Sequence, residues 1–210
     1  MHRHTGKSKK GDKAKMTTVK PPNAETTAVK TTGENKTYKL ALTALMAALG
    51  TVSILLFRIP IPIPGNEGIV HLGDSVIFLA VLILGAKYAA PAAAIGHASA
   101  NVIAGIPFWA PWTFVIKGVM ALIAGAFIGG VVKAEYGPLK KAVVKVTGMV
   151  LGGVWMIAGY YVAGGLMLGN WAAALLGIPW NIGQITVGIA IAMALEAALK
   201  KTSAGKHFKH

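Results

Sequence analysis

The chain has 210 residues, of which 54% are hydrophobic and only 13% are charged, and its formal net charge is +14. A soluble domain carries about 25% charged residues, so the composition excludes an ordinary soluble domain and indicates an integral membrane protein. The absence of cysteine excludes disulfides and thiolate metal sites. The basic residues gather at the chain ends, which is typical of membrane topology and of attraction to anionic lipid rather than of a nucleic-acid partner.

The N-terminal segment, residues 1–36, is rich in Lys, Thr, Gly and Pro and has few apolar side chains. Such a composition cannot bury enough apolar surface to fold alone, so we predict a disordered basic tail. A second basic tail is predicted at residues 201–210. The residues between them, 37–200, are predicted to form one membrane domain.

Six apolar segments follow one another within this domain. At roughly 20 residues per membrane span, the fifty uncharged residues from Val146 to Leu195 already account for two of them. The sequence therefore predicts an all-α integral membrane protein with six transmembrane helices. The predicted spans are about 38–57, 74–86, 89–106, 112–132, 143–168 and 179–199.

The distribution of basic residues predicts the orientation of these spans. With the N-terminus inside, 19 of the 21 Lys and Arg residues fall in inner segments, and Arg58 alone falls outside, with Lys117 inside a span. Positive residues collect on the cytoplasmic side, so both termini are predicted to be cytoplasmic. Loop 58–73, which is rich in Pro and Gly, then lies outside and cannot be helical.

Ala44 and Ala48 form a small-xxx-small pair on the first predicted span. Such pairs let helix backbones approach closely in lipid. Two interpretations remain open, because the pair suits either packing within this chain or docking onto another membrane subunit.

Lys117 is the only Asp, Glu, Lys or Arg between Tyr88 and Val132. A charge at the centre of a span costs roughly 3 kcal/mol on insertion scales, so Lys117 must reach water by snorkelling, pair with a counter-charge or face a polar cavity. Asp74, at the outer end of the second span, is a candidate partner. Asp is also a good N-cap residue, and this structural role remains an alternative.

Amide and tryptophan side chains are predicted at the depth of Lys117, in the outer half of the membrane. Aromatic walls with a few convergent polar groups are typical of a small-molecule pocket. Amides can also hold helices together, and tryptophans can form an interfacial belt. The candidate substrate-binding residues are Asp74, Asn101, Trp109, Trp112, Lys117, Asn181 and Gln184.

Catalytic and metal sites receive little support. The sequence lacks paired intramembrane carboxylates and familiar catalytic motifs, so we predict neither an enzyme nor a cofactor. Glu196 lies four residues before Lys200, which predicts a surface ion pair. A metal site formed by His71, Asp74 and His97 is disfavoured, because His97 is expected to lie deeper in the membrane than the other two.

The basic ends, the Ala44-xxx-Ala48 motif and the Pro-rich outer loop together resemble the substrate-binding S component of energy-coupling-factor (ECF) vitamin transporters, over roughly residues 38–200. Three segments are similar to the subgroup associated with hydroxymethylpyrimidine and pyridoxine-type substrates. These segments are Gly73-Asp74-Ser75-Val76-Ile77-Phe78, the run from Trp109-Ala110-Pro111-Trp112 to Ile116-Lys117-Gly118, and Pro179-Trp180-Asn181-Ile182-Gly183-Gln184.

The resemblance implies a cell-membrane protein that captures a vitamin from outside with high affinity. It implies docking through Ala44 and Ala48 onto a transmembrane coupling subunit, with two ATP-binding subunits driving the cycle. It also implies that Asn181 and Gln184 contribute to the site and that loop 58–73 is a lid. For a pyridoxine-type substrate, Lys117 is a candidate to stabilise the phenolate.

Three alternatives remain open at this stage. The substrate could be another vitamin or a transition-metal ion. The chain could be a non-transporting membrane scaffold subunit that uses only its small-residue surfaces. An intramembrane enzyme is the third alternative, and the missing acid/base pair argues against it.

Overall fold

Helices make up most of the chain in the computed structural model, which describes residues 1–2, 24–63 and 66–202, and the side chains outside 24–35 and 62–68. The chain divides into two units, Met1–Asn35 and Lys36–His210. The predicted tails lie largely outside the described residues and stay predictions. The elements are α1 (Ala24–Leu56), β1 (Arg58–Ile63), β2 (Asn66–His71), α2 (Gly73–Leu84), α3 (Ala86–Ile103), a 3₁₀ turn (Pro107–Trp109), α4 (Ala110–Val131), α5 (Pro138–Leu168), α6 (Trp171–Leu175) and α7 (Gly177–Leu199).

Each of the six predicted spans falls on a helix. Within the described residues, four helical stretches are long and apolar enough to cross a bilayer, while α2 is apolar but has only 12 residues. The first predicted span starts at about 38, whereas α1 begins at Ala24 and its apolar stretch begins at Lys36. The four stretches are Lys36–Leu56, Pro107–Val131, Pro138–Leu168 and Trp171–Leu199.

Within the segment predicted as a Pro- and Gly-rich, non-helical loop, 58–73, β1 and β2 pair as an antiparallel β-hairpin. The pairing runs from Arg58 opposite His71 to Ile63 opposite Asn66. Proline has no N–H to donate to a strand ladder, and the backbone N–H groups of successive residues point to opposite edges of a strand. The prolines at every second position of β1 therefore remove donors from one edge of this strand only. The exclusion of helix from this segment was therefore right, and the predicted all-α fold class is corrected by the addition of this two-stranded sheet.

The short helix α2 is the centre of the packing. Ten of its 12 residues are buried, as expected for a helix that is apolar all round. It packs against α3, α4 and α7, while α4 lies between α3 and α5. Phe78, Met120, Met149 and Met156 are fully buried in this core. A short helix enclosed in this way can carry a buried charge at its end, and α2 carries Asp74 there.

The small residues of α1 divide between two faces. Ala47 contacts Gly96 of α3 so closely that a Cβ on Gly96 would overlap the Ala47 backbone, and the Thr51 hydroxyl donates to the Gly96 carbonyl at 2.8 Å. Ala44 and Ala48 are exposed. Packing within the chain therefore uses Ala47 and leaves the predicted docking pair on the surface.

The predicted pair of Glu196 with Lys200 forms, at 2.7 Å. The expectation that it is a surface pair was wrong, because Glu196 is only 3% exposed and also accepts from the buried Lys145 of α5. Sequence spacing within α7 predicted the first contact, whereas the second depends on the packing of α5 against α7.

Candidate functional site

A cavity of about 130 Å³ lies beneath the β-hairpin, between the facing ends of α3, α4, α5 and α7. One water position needs roughly 10–15 Å³ on this kind of measure, so the space corresponds to a molecule of about one ring. Isoleucines of α1 and the hairpin contribute an apolar wall, and Trp109 and Tyr160 an aromatic one. The polar residues of the lining are Arg58, His71, Asn101, Thr113, Tyr160, Asn181 and Gln184.

An ion pair lies directly behind this cavity. Lys117 Nζ donates to Asp74 Oδ1 at 2.5 Å, and both side chains are completely buried. Lys117 also contacts Met156 Sδ at 2.8 Å and lies 5.4 Å from the Tyr160 ring centroid. The alternative in which the Lys117 side chain snorkels to water is therefore wrong. The N-cap alternative for Asp74 is wrong too, because Leu72 caps α2 without a side-chain bond.

Gln184 connects the ion pair to the hairpin. Its Nε2 donates to Asp74 Oδ2 at 2.7 Å, and its Oε1 accepts from the backbone N–H of His71 at 3.0 Å. A buried pair is stable only when its remaining hydrogen-bonding capacity is also used. Gln184 fills that need for Asp74 and at the same time anchors the end of β2 over the cavity.

A second polar group in the lining centres on the Thr113 hydroxyl. Asn101 Nδ2 donates to Thr113 Oγ1 at 2.6 Å, and the Tyr160 hydroxyl donates to the same oxygen at 3.2 Å. The rings of Trp109 and Tyr160 are 6.2 Å apart at an interplanar angle of 56°. The cavity thus offers amide and hydroxyl groups next to aromatic surface, which is the combination that a polar ring requires.

Two histidines flank Asp74. The ring centroids of His71 and His97 are 5.8 Å apart, and one ligand atom from each of His71, Asp74 and His97 lies within 4.8 Å of the others. The expectation that His97 lies too deep to join His71 and Asp74 was therefore wrong. Burial lowers the pKa of His71 to about 4, the Asp74 carboxylate opposes this shift and the Lys117 ammonium adds to it, so the imidazole is neutral at pH 7.

Comparison with known proteins decides the family. Residues 34–201 match the model of the ECF-type riboflavin transporter S component. The chain is also 31% identical, over 80% of its length and 92% of the relative's, to the thiamine precursor transporter HmpT of Lactococcus lactis subsp. cremoris (strain MG1363). The chain belongs to the ECF S-component family.

A further relative matches this chain over most of its own length. A Pyrococcus woesei protein recorded as "Uncharacterized protein in gap 3'region" is 36% identical over 151 residues, which are 72% of this chain and 94% of that protein. The S component described here is a substrate-binding subunit of a vitamin or vitamin-precursor transporter and a multi-pass plasma-membrane protein. Its family consists of transporter subunits, which are not enzymes.

The S component brings most of the predicted site residues together. Asn101, Trp109, Asn181 and Gln184 line the cavity, and Asp74 and Lys117 lie behind Gln184. Trp112 is 37% exposed and outside the lining, so the fold does not bring it to the site.

Sequence reasoning missed His71, Thr113 and Tyr160, which also line the cavity. Thr113 had a usable signal, because it lies four residues before Lys117 and hence on the same face of α4. His71 was noted beside Asp74 but was considered only as a metal ligand. Tyr160 had no local signal, since it reaches the cavity only through the packing of α5 on α4.

The close approach at Gly73 yields a stability prediction. A Cβ there would lie 2.7 Å from Ile54 Cγ1 and 2.8 Å from His97 Nε2. Gly73→Ala should therefore destabilise the protein by about 1–3 kcal/mol, the usual cost of overpacking a core, measured as thermal unfolding in detergent. Gly183→Ala is the matched control, because its Cβ would meet nothing within 4 Å. Equal melting temperatures for the two variants would contradict the packing described at Gly73.

Proposed function

We propose that this S component binds a single-ring, water-soluble heteroaromatic vitamin or precursor of the hydroxymethylpyrimidine or pyridoxine type. The main support is the cavity itself, where an aromatic wall faces amide and hydroxyl groups in a space of about 130 Å³. The relationship to HmpT, whose name specifies a thiamine precursor, supports the same class of substrate.

The chemistry of the ring fits the lining group by group. Trp109 and Tyr160 provide faces on which a heteroaromatic ring stacks. Asn181 and the group around Thr113 provide donors and acceptors for a ring nitrogen and a hydroxymethyl group. The three-ring flavin in the name of the family model needs several times the space, so the cavity favours the smaller substrate.

Lys117 is assigned a shaping role rather than direct contact with the substrate. Its ammonium is paired with Asp74 and enclosed by Met156 and the Tyr160 ring. Lys117 is not part of the cavity lining, so its ammonium would reach a substrate phenolate only by moving away from Asp74, and leaving that buried carboxylate unpaired is costly. We therefore infer that Lys117 holds Asp74, which in turn holds Gln184 at the cavity wall.

We also propose that α1, α2, α3, α4, α5 and α7 form six spans with both termini in the cytoplasm. The strong excess of basic residues on the predicted inner side supports this orientation. The cavity and hairpin then face outside, where the vitamin is captured, and the hairpin acts as a lid tied down by Gln184.

The partners are proposed to be one transmembrane coupling subunit and two ATP-binding subunits. S components of this family work with such a module. The exposed faces of Ala44 and Ala48 on α1 support the proposal that α1 is the docking surface, because small residues permit close helix approach.

Enlarging this surface gives a prediction that separates docking from binding. Ala44→Leu together with Ala48→Leu should leave vitamin affinity of the isolated subunit unchanged and lower its co-purification with the coupling module about tenfold or more. Ala158→Leu, at an exposed alanine of α5, is the control. Normal co-purification of the double variant would exclude this face of α1.

The experiment that tests the substrate class is a binding titration. Tryptophan fluorescence of the purified protein is followed while hydroxymethylpyrimidine, pyridoxine, thiamine and riboflavin are added separately. We expect saturable quenching at submicromolar concentration by a single-ring compound. Tight binding of riboflavin alone would contradict the proposal.

A metal ion is the second candidate cargo, and the cluster of His71, Asp74 and His97 favours it. Against it stands the Lys117 ammonium, which already occupies Asp74 and would lie close to a divalent cation. Titration with Zn²⁺, Ni²⁺ and Co²⁺ decides the question. Metal binding that is lost in His97→Ala, with no vitamin bound, would favour the metal.

A further inference from the structure

A second cavity, of about 340 Å³, lies at the opposite ends of α5 and α7 from the vitamin cavity. Its walls are the first turns of α5, from Pro138 to Lys145, and the last turns of α7, from Met193 to Lys200. The vitamin cavity uses the other ends of the same helices, at Tyr160 and Gln184. The two cavities are therefore separate sites at the two ends of one helix pair.

The second cavity carries an excess of positive charge. Among the described residues of its lining, three ammonium groups (Lys141, Lys145 and Lys200) face one carboxylate (Glu196), which leaves a net charge of +2. Lys145 and Lys200 both pair with the same oxygen, Glu196 Oε1. Since Lys145 is 2% exposed and Glu196 3% exposed, part of this charge is shielded from water.

This arrangement is suited to an anion with several oxygens. Two ammonium groups that share one carboxylate oxygen repel each other, and the repulsion grows where water is excluded. Within the described lining, Glu196 is one carboxylate against three ammonium groups. A phosphate group accepts charge-assisted hydrogen bonds from several lysines at once, and Lys is a frequent point-charge ligand for it.

The remaining walls distinguish a lipid from a free anion. Pro138, Ala142, Met193 and Ala197 add apolar surface to the lining. Leu139, next to Pro138 in the first turn of α5, is 80% exposed, which suits contact with acyl chains. A ligand with an anionic head and apolar chains uses both walls, whereas inorganic phosphate uses only the lysines. Basic pockets between transmembrane helices bind anionic lipid headgroups in this way.

We propose that the cavity between the first turns of α5 and the last turns of α7 binds the phosphate headgroup of an anionic glycerophospholipid. The lipid bridges Lys141 of α5 and Lys200 of α7 and so holds these helix ends together. The proposal is independent of the vitamin.

The test is a lipid titration of the full-length protein in mixed micelles, read by thermal unfolding and by native mass spectrometry. The ligands are phosphatidylglycerol, phosphatidylcholine and inorganic phosphate. Lys141→Gln with Lys200→Gln is the test variant, and it leaves the buried Lys145–Glu196 pair intact. Lys87→Gln with Lys133→Gln is the control, because it makes the same change in net charge at exposed lysines outside the cavity.

We expect phosphatidylglycerol, and not phosphatidylcholine, to raise the unfolding temperature and to remain bound in the mass spectrum. Its apparent affinity should fall about tenfold or more in the test variant and stay unchanged in the control. An equal loss in both variants would show a non-specific charge effect and overturn the site. Equal stabilisation by inorganic phosphate would overturn the assignment to a lipid, and equal stabilisation by phosphatidylcholine would overturn the anionic headgroup.

Discussion

Lys117→Met should unfold the protein or reduce its stability by about 3–5 kcal/mol, because it leaves the Asp74 carboxylate buried without its counter-charge. Asp74→Asn should be destabilising for the complementary reason. The pair lies 43 residues apart in sequence and is completely buried, so neither charge can be satisfied by water. Thermal unfolding in detergent measures both effects.

The double variant Lys117→Met/Asp74→Asn is the informative comparison. Removing both charges should cost much less than the sum of the single variants, and the cycle measures the coupling between them. Lys87→Met, at an exposed lysine of α3, is the control and should change stability little. A double variant that folds and binds the vitamin with near-normal affinity would establish Lys117 as a shaping residue, and additive losses would contradict the pairing.

Gln184→Leu should weaken vitamin binding about tenfold to a hundredfold and loosen the hairpin. The substitution removes the bond to Asp74 Oδ2 and the bond to the His71 backbone, and each buried group left unpaired costs about 1–3 kcal/mol. Binding is measured by fluorescence titration and the hairpin by hydrogen exchange of β1 and β2.

Asn181→Ala separates the two functions of Gln184. Asn181 lines the same cavity, and within the described part of the chain the side-chain hydrogen bond that ties α7 to the hairpin comes from Gln184. This variant should lose vitamin affinity without increasing exchange in the hairpin. Equal exchange in the Gln184→Leu variant and the parent protein would contradict the role of Gln184 as the anchor of the lid.

Much of the helical fold could be predicted from the sequence because long apolar runs determine membrane helices. The predicted end of the last span, residue 199, coincides with the end of α7 at Leu199. The hairpin could not be predicted in the same way. Its alternating prolines exclude helix, but whether Pro60 pairs with Ile69 depends on a turn and a partner strand that local pattern does not determine.

The candidate site was predictable in its residue types and less so in its contacts. Lys117 was identified because a lone charge in an apolar run needs a partner or a polar cavity, and Asp74 because it was a candidate counter-charge at the outer end of the second span. The route from Lys117 through Asp74 to Gln184 depends on α2 packing between α4 and α7. Trp109 and Trp112 were predicted together, but only Trp109 lines the cavity, whereas Trp112 is exposed on α4. Sequence alone does not show which face of α4 is turned to the cavity.

The most direct test of the proposed function is the mass of the ligand that co-purifies with the detergent-extracted protein, measured by native mass spectrometry. We expect one bound single-ring compound of the hydroxymethylpyrimidine or pyridoxine class, retained by the parent protein and lost in Asn181→Ala. A bound flavin, or a bound transition metal with no organic ligand, would contradict the proposed function.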